Sequence, residues 1–287
     1  MIEYKQFKKL DADYVLGQVK LFLDEDIPTG DKTTLGTVIS NQTARAEIQA
    51  VEHLVFSGSE VIPYCFDGDT DVNLHVADGD ELVEGDVIGE ITGNAASILS
   101  RERVMLNLIQ RLCGIATQAK VYSEMAKPYS VKILDTRKTT PGLRLLEKYA
   151  VTCGGGYNHR LNLSEGILIK DNHLKAAGSV EVAVENIRKI YPSIPIELEV
   201  DTQAQIKAGL LVGVDGFLLD NMHPEKIRES LDIIRCFAGG DSIFVEASGG
   251  ITLENIYGYL NTGVNAISVG ALTHQIKSRD IRLEFVG

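Results

Sequence analysis

The chain has no apolar run long enough to span a membrane. Its opening residues, MIEYKQFKKLDAD, lack the apolar stretch of a secretory leader, so the cytoplasm is the expected setting. Cysteine is sparse. Cys65, Cys113, Cys153 and Cys236 stand far apart with no C-x-x-C pair, which fits core or bystander thiols in a reducing compartment and argues against disulfides or a zinc site. Positive charge is also short: 28 Lys and Arg against 40 Asp and Glu leave a formal charge of -12. That balance excludes the broad basic footprint of a nonspecific nucleic-acid binder. What is present, 44% hydrophobic and 24% charged residues over a length of 287, suits a globular chain of one large or two modest domains.

Against this acidic background one region is basic. Residues 101–175 hold 13 Lys and Arg against 6 Asp and Glu, a local balance of +7 that leaves the remainder near -19. Its densest part, 133–173, reads ILDTRKTTPGLRLLEKYAVTCGGGYNHRLNLSEGILIKDNH. Arg103, Arg137, Lys138, Arg144, His159, Arg160 and Lys170 gathered around short apolar strands focus a positive potential. A small, multiply anionic molecule is the ligand such a focus suits.

Two regimes meet near residue 112. The first has a helical pattern over 13–23, turn chemistry at Ile27-Pro28-Thr29-Gly30-Asp31, and short strands at 43–51, 54–56, 72–76 and 87–91. It reads as a small antiparallel sheet with a flanking helix, an α+β sandwich domain over 1–112 to which 275–287 returns. The segment 76–91 resembles a biotinyl or lipoyl carrier hairpin, but it contains no Lys to carry the group and is read as structural. A long apolar helix, 98–125, joins the regimes. Beyond it strands at 131–134, 167–169, 196–200, 216–219, 243–245 and 266–269 alternate with helical stretches such as 180–190, 224–237 and 253–260. Repeated βα units imply a parallel sheet. The strands end on Asp135, Lys170, Glu199 with Asp201, Asp220, Glu246 with Ser248, and Gly270. Polar residues at nearly every carboxyl end mark a β/α barrel rim, whereas a dinucleotide-binding sheet would show G-x-G-x-x-G after its first strand. Six strands predict an incomplete, open barrel over 113–274.

Several constellations sit at those strand ends. Ser248-Gly249-Gly250 and Gly270-Ala271 place glycines where barrels hold phosphate, or they are plain turns. Glu199 and Asp220 end neighbouring strands and suit Mg²⁺, or else form salt bridges with Lys138 or Lys170. Lys170 is either a Schiff-base amine, as in a barrel aldolase, or a charge partner for an anion; the cations around it favour the second. His159-Arg160, after Gly154 to Gly156, either feeds polar side chains into the mouth or leaves His159 in the core. His53, His75 and His223 have no such context.

With these residues assembled, the chain resembles the quinolinate phosphoribosyltransferases nearly end to end. The resemblance rests on EDIPTGDKTT at 25–34, RERVMLNLIQRLCGIAT at 101–117, DTRKTTPGLR at 135–144, GGGYNHR at 154–160, LIKDNH at 168–173, ELEVD at 197–201, LLDN at 218–221, EASGG at 246–250 and SVGALTH at 268–274. Pro28, where the family usually has Gly, and Gln275, where it usually has Ser, are departures at motif edges. The resemblance implies conversion of quinolinate and phosphoribosyl pyrophosphate to nicotinate mononucleotide, pyrophosphate and carbon dioxide. It implies that Arg103, Arg137, His159 and Arg160 hold the two carboxylates, and that Lys138 and Lys170 lie near the substrate carboxylate and the pyrophosphate. Glu199 and Asp220 then serve Mg²⁺ and the ribose, and Ser248, Gly249, Gly250 and Gly270 cradle the 5′-phosphate. It also implies a homodimer or larger assembly in which Arg103 reaches a neighbouring subunit's site, with no nucleic acid or membrane partner. The alternatives are a phosphoribosyltransferase for nicotinate, a barrel aldolase, which borohydride would trap on Lys170, and a non-enzymatic anion sensor.

Overall fold

The computed structural model describes residues 2–39 and 41–286. In chain order its first half contains α1 (Ala12–Asp26), α2 (Lys32–Thr37), β1 (Thr43–Ala50), β2 (Leu54–Val55), β3 (Thr70–Leu74), β4 (Glu81–Leu82), β5 (Val87–Asn94) and α3 (Ala95–Ala126). Then come β6 (Lys132–Leu134), α4 (Arg144–Cys153), β7 (Ile167–Ile169), α5 (Asp171–Ala177), α6 (Val180–Ile190), β8 (Ile196–Val200) and α7 (Gln203–Val212). The chain ends with β9 (Gly216–Asp220), α8 (Pro224–Arg235), β10 (Phe244–Ser248), α9 (Ile256–Leu260), β11 (Ala266–Ser268), α10 (Ala271–His274) and β12 (Ile281–Val286). These elements form two compact units that interleave along the sequence, where the sequence suggests a single crossing at 112 and a return at 275. One unit takes 7–121, 139–155 and 272 onward; the other takes the residues up to 6, 122–138 and 156–271.

The first unit is built on an antiparallel sheet of order β12-β1-β5-β3. Along β1 every second residue, Ala46, Ile48 and Ala50, is buried, so one face meets the core and the other is wetter. The segment 76–91 is not a self-paired hairpin: β4 pairs with β2, while β5 pairs with β1 and β3. Its turn is anchored by Asp78, which accepts the Gly58 and Ser59 N–H groups at 2.7 and 3.1 Å and the hydroxyls of Ser59 and Tyr149. Helix α1 opens on Asp11, whose carboxylate accepts the Tyr14 N–H at 3.0 Å. Helix α4 also belongs here and is hard to see from pattern, because its Glu147 and Lys148 are fully buried. Glu147 is compensated by Arg111, whose Nε and Nη2 donate to Oε1 at 2.9 and 2.7 Å.

The second unit carries six parallel strands in the order β6-β11-β10-β9-β8-β7. Strands β7 to β11 neighbour one another in sequence, and the last then pairs with the first. Pairing of first with last is what a barrel requires and a doubly wound sheet lacks. The ring has one open seam, between β6 and β7. Tyr157 pairs along the β6 side of it, donating its N–H to the Ile133 carbonyl at 2.8 Å and accepting the Asp135 N–H at 3.0 Å. Strand interiors such as Ile196, Leu198 and Val200, or Phe217 and Leu219, are buried and apolar, as parallel strands covered on both sides should be. No helix among the described residues is long and apolar enough to cross a membrane.

Candidate active site

A parallel ring brings all six carboxyl ends to one rim. That rim collects Arg137 and Lys138 beyond β6, Lys170 beyond β7, Glu199 near the end of β8, Asp220 on β9, Ser248 on β10 and Gly270 beyond β11. Lys170 Nζ contacts Glu199 Oε2 at 2.6 Å, so the salt-bridge alternative for Glu199 is realised with Lys170. The Lys170 backbone is itself fixed: its N–H donates to His173 Nδ1 at 2.9 Å as α5 begins. This gives the DNH of LIKDNH a physical purpose, because it locks the backbone from which Lys170 projects.

The seam loop is pinned from below. Asp135, fully buried at the end of β6, accepts the His159 N–H at 2.8 Å and Asn158 Nδ2 at 2.7 Å. Gln6 reaches the same loop, its Oε1 accepting the Asn158 N–H at 2.8 Å and its Nε2 donating to the Asn158 carbonyl at 3.0 Å. The loop therefore delivers His159 and Arg160 in fixed positions. Arg160 is only 5% exposed, and Nη1 donates to the Gly166 carbonyl at 3.3 Å. Burial, and after it the charge of Arg137, pull the Arg160 guanidinium below its ordinary pKa. Tyr4, Glu197 and Glu199 oppose that shift without cancelling it, so a further anion at this point would be favoured.

On the other side of the rim, Gly249 and Gly250 follow β10 with φ of +93° and +62°. A Cβ on Gly249 would lie 2.3 Å from Asn221 Oδ1, so only glycine fits. Asn221, at φ +52°, donates its backbone N–H to the Ser248 carbonyl at 2.9 Å and its Nδ2 to Asp220 Oδ2 at 2.7 Å. Backbone amides turned by consecutive left-handed residues form a concavity suited to an anion. The helices after the two glycine loops, α9 and α10, have only five and four residues, so this part of the rim relies on loop backbone more than on helix ends.

Sequence reasoning missed what lies beneath the rim. His159, Glu197 and Glu246 are all buried and converge, the one group of three potential ligand side chains among the described residues whose atoms approach within 4.8 Å. Tyr4 joins them, its ring stacked on His159 at 4.3 Å between centroids and its hydroxyl donating to Glu197 Oε2 at 2.7 Å. A signal was available for Glu197, which precedes Glu199 by two residues and so shares its face of β8. For Tyr4 there was none. Arg103 lies on α3, in the other unit, its side chain 61% exposed with Glu102 4.0 Å away.

Comparison with known proteins decides the family. Residues 31–113 match the family model described as quinolinate phosphoribosyl transferase, N-terminal domain, and residues 115–284 match that of the C-terminal domain. The chain belongs to the quinolinate phosphoribosyltransferase family. It is 45% identical over 267 residues to a probable nicotinate-nucleotide pyrophosphorylase (carboxylating) of Bacillus subtilis, covering 92% of this chain and 90% of that protein. It is 38% identical over 280 residues to the nicotinate-nucleotide pyrophosphorylase (carboxylating) of Mycobacterium leprae, covering 96% and 98%. The solved nicotinate-nucleotide pyrophosphorylase of Francisella tularensis superposes with a TM-score of 0.91 at 33% identity, over 99% of this chain and all of that one. The open barrel with an antiparallel N-terminal sheet is thus the quinolinate phosphoribosyltransferase fold, as the motifs imply.

Proposed function

We propose that this chain is the quinolinate phosphoribosyltransferase of NAD biosynthesis, converting quinolinate and phosphoribosyl pyrophosphate to nicotinate mononucleotide, pyrophosphate and carbon dioxide. The observation that carries this reading is the burial of Arg160 beside the like charge of Arg137 on a rim that also bears a two-glycine loop. A dicarboxylate would pair with these guanidiniums, and Lys170 adds a third cation on the same rim. In this reading Arg137, Arg160 and Lys170 orient the pyridine ring, and Ser248, Gly249, Gly250 and Gly270 hold the 5′-phosphate. The ring nitrogen attacks the anomeric carbon as the carbon–oxygen bond to pyrophosphate breaks, the electron pair leaving with pyrophosphate beside Lys138. That nitrogen carries no proton, so no general base is needed. The resulting pyridinium accepts the electrons left when the adjacent carboxylate departs as carbon dioxide, and a proton replaces it. The protein's work is positioning and electrostatics.

The carboxylates of Glu199 and Asp220 are hard oxygen donors on adjacent strands, the donor chemistry Mg²⁺ prefers when substrate phosphates complete its shell. We assign them to it. When bound, the ion would neutralise charge on the pyrophosphate. The expected assembly is a cytoplasmic homodimer or larger oligomer; four free cysteines fit a reducing compartment. The aldolase alternative is disfavoured because Lys170 Nζ is already engaged by Glu199 at 2.6 Å, on a rim that also carries Arg137 and Lys138.

The test is a paired assay with Mg²⁺ and phosphoribosyl pyrophosphate, offering quinolinate or nicotinate. Quinolinate should give nicotinate mononucleotide with carbon dioxide. Nicotinate leaves one of these cations without its carboxylate, at a cost of about 3–5 kcal/mol, which is on the order of 10²–10⁴ in kcat/KM. Comparable kcat/KM values for the two acids would overturn the double-carboxylate clamp.

A further inference from the structure

Glu197 and Glu246 have no place in the chemistry above, yet both are fully buried under the rim, on β8 and β10. Their Oε2 atoms flank one ring nitrogen, His159 Nε2, at ion-pair distances of 3.5 and 3.6 Å. Each carboxylate also takes one hydroxyl: Tyr4 donates to Glu197 and Ser268 to Glu246. A histidine between two carboxylates is either a metal site or a proton site, and the other ring nitrogen distinguishes them. A metal on Nε2 requires the lone pair there and the proton on Nδ1. Here Nδ1 accepts the backbone N–H of Arg160 at 2.8 Å, so the lone pair sits on Nδ1 and the hydrogen on Nε2. The ring turns its Nε2 hydrogen toward Glu197 Oε2 at 3.5 Å, while Glu246 Oε2, at 3.6 Å, faces it as a charge neighbour without a hydrogen bond.

We propose that Tyr4, Glu197 and Glu246 are positioning residues that hold His159 as its Nε2-protonated tautomer, so that Nδ1 anchors the Arg160 backbone and aims the Arg160 guanidinium at a substrate carboxylate. This rests on reading the rim as the quinolinate clamp. It also changes the role of His159, which has protein partners on both ring nitrogens and serves the substrate through Arg160. The stacked Tyr4 ring fixes the imidazole plane, while the two carboxylates fix its rotation. Charge balance agrees. The groups facing Glu246 are His159 from the seam loop, Glu197 from β8, Ser268 from β11, Lys170 beyond β7 and Tyr4 from the N-terminal segment. Burial pushes the Glu246 carboxyl up to about 7, with Glu197 adding to the rise and His159 opposing it.

The test uses the intact enzyme and two near-isosteric variants, Tyr4→Phe and Glu246→Gln. Nitrogen-15 spectra of the wild type should show His159 with Nδ1 unprotonated and Nε2 protonated. Both variants should raise the KM for quinolinate roughly tenfold while moving the KM for phosphoribosyl pyrophosphate less than about twofold. An Nδ1-protonated His159, or stoichiometric Zn²⁺ retained after dialysis and lost in Glu246→Gln, would overturn the proposal in favour of a metal site. Variants that leave both KM values unchanged, or raise both equally, would also overturn it. If Glu246→Gln does not fold, Tyr4→Phe and Ser268→Ala carry the same measurements. If the wild type turns over no quinolinate although the tautomer is as stated and is lost in the variants, the positioning network stands and the assigned substrate falls.

Discussion

A carboxylate that is fully buried and faces a second carboxylate must stay protonated longer than one in water, and Glu246 shows the consequence. Burial is the main cause that lifts its pKa from the ordinary glutamate range to about 7, with Glu197 adding to it and His159 opposing it. In the unfolded chain the same group titrates near 4.5. Between those values the folded state binds more protons than the unfolded state, so this contribution to stability is whole below about 4.5 and is lost as pH rises through about 7. The slope for one proton is at most about 1.4 kcal/mol per pH unit. Denaturant unfolding of wild type and Glu246→Gln between pH 5 and 8 should therefore differ in slope, the wild type losing stability relative to the variant as pH rises. Parallel stability curves would show that Glu246 ionises as freely in the fold as outside it. The sequence reading used Glu246 only as polar chemistry at a strand end. Its neighbours Tyr4 and His159 are distant in sequence, and nothing in the pattern around Tyr4 predicts that its ring stacks on His159. Arg137, Arg160 and Lys170 were legible for the opposite reason: cations crowded into an acidic chain stand out in composition alone.

At the scale of elements, the parallel strands were readable because short, continuous Ile, Leu and Val runs bounded by polar ends suit buried parallel strands and little else. β7 and β8 match their expected spans, while β10 lies one residue later at its start and three at its end. Helix α4 and strand β12 are harder to read. The first buries Glu147 and Lys148, which a polar pattern assigns to the surface, and the second gains its order by pairing with β1 across the whole length of the chain. The loop after β10 makes a sharper test of element and site together. Gly249→Ala puts a methyl 2.3 Å from Asn221 Oδ1 and a side chain at φ +93°, so it should destabilise by about 1–3 kcal/mol. It should also weaken binding of phosphoribosyl pyrophosphate while leaving quinolinate binding within about twofold, because the guanidinium clamp lies on other strands. Combining it with Asn221→Gly removes the clashing side chain and suits the left-handed φ of +52° at that position, so part of the lost stability should return. Separate titrations of the two substrates and a thermal melt of each variant measure this. Equal loss of both substrates would mean that the loop supports the whole rim instead of the phosphate side.

For the whole molecule we propose that the barrel's rim takes Arg103 from a partner chain, since the family resemblance counts this residue among those that hold the quinolinate carboxylates. Arg103 sits on α3, in the unit that does not carry the rim, and its side chain is mostly solvent-exposed, with Glu102 4.0 Å away. A side chain so placed gains little from its own neighbours, since an exposed ion pair is worth at most about 1 kcal/mol. A two-fold assembly that hands each barrel its partner's Arg103 gives it a function, and that arrangement has a quantitative signature. Arg103→Ala and Asp220→Ala should each be nearly inactive as homodimers. Mixed in equal amounts and allowed to exchange, half of the dimers become heterodimers, in which one site carries both defects and the other neither. Half the sites in half the dimers are intact, so activity should return to about a quarter of wild type. Native mass spectrometry verifies the exchange independently of activity. If heterodimers form and activity does not return, Arg103 serves the barrel of its own chain or none, and the shared site is wrong.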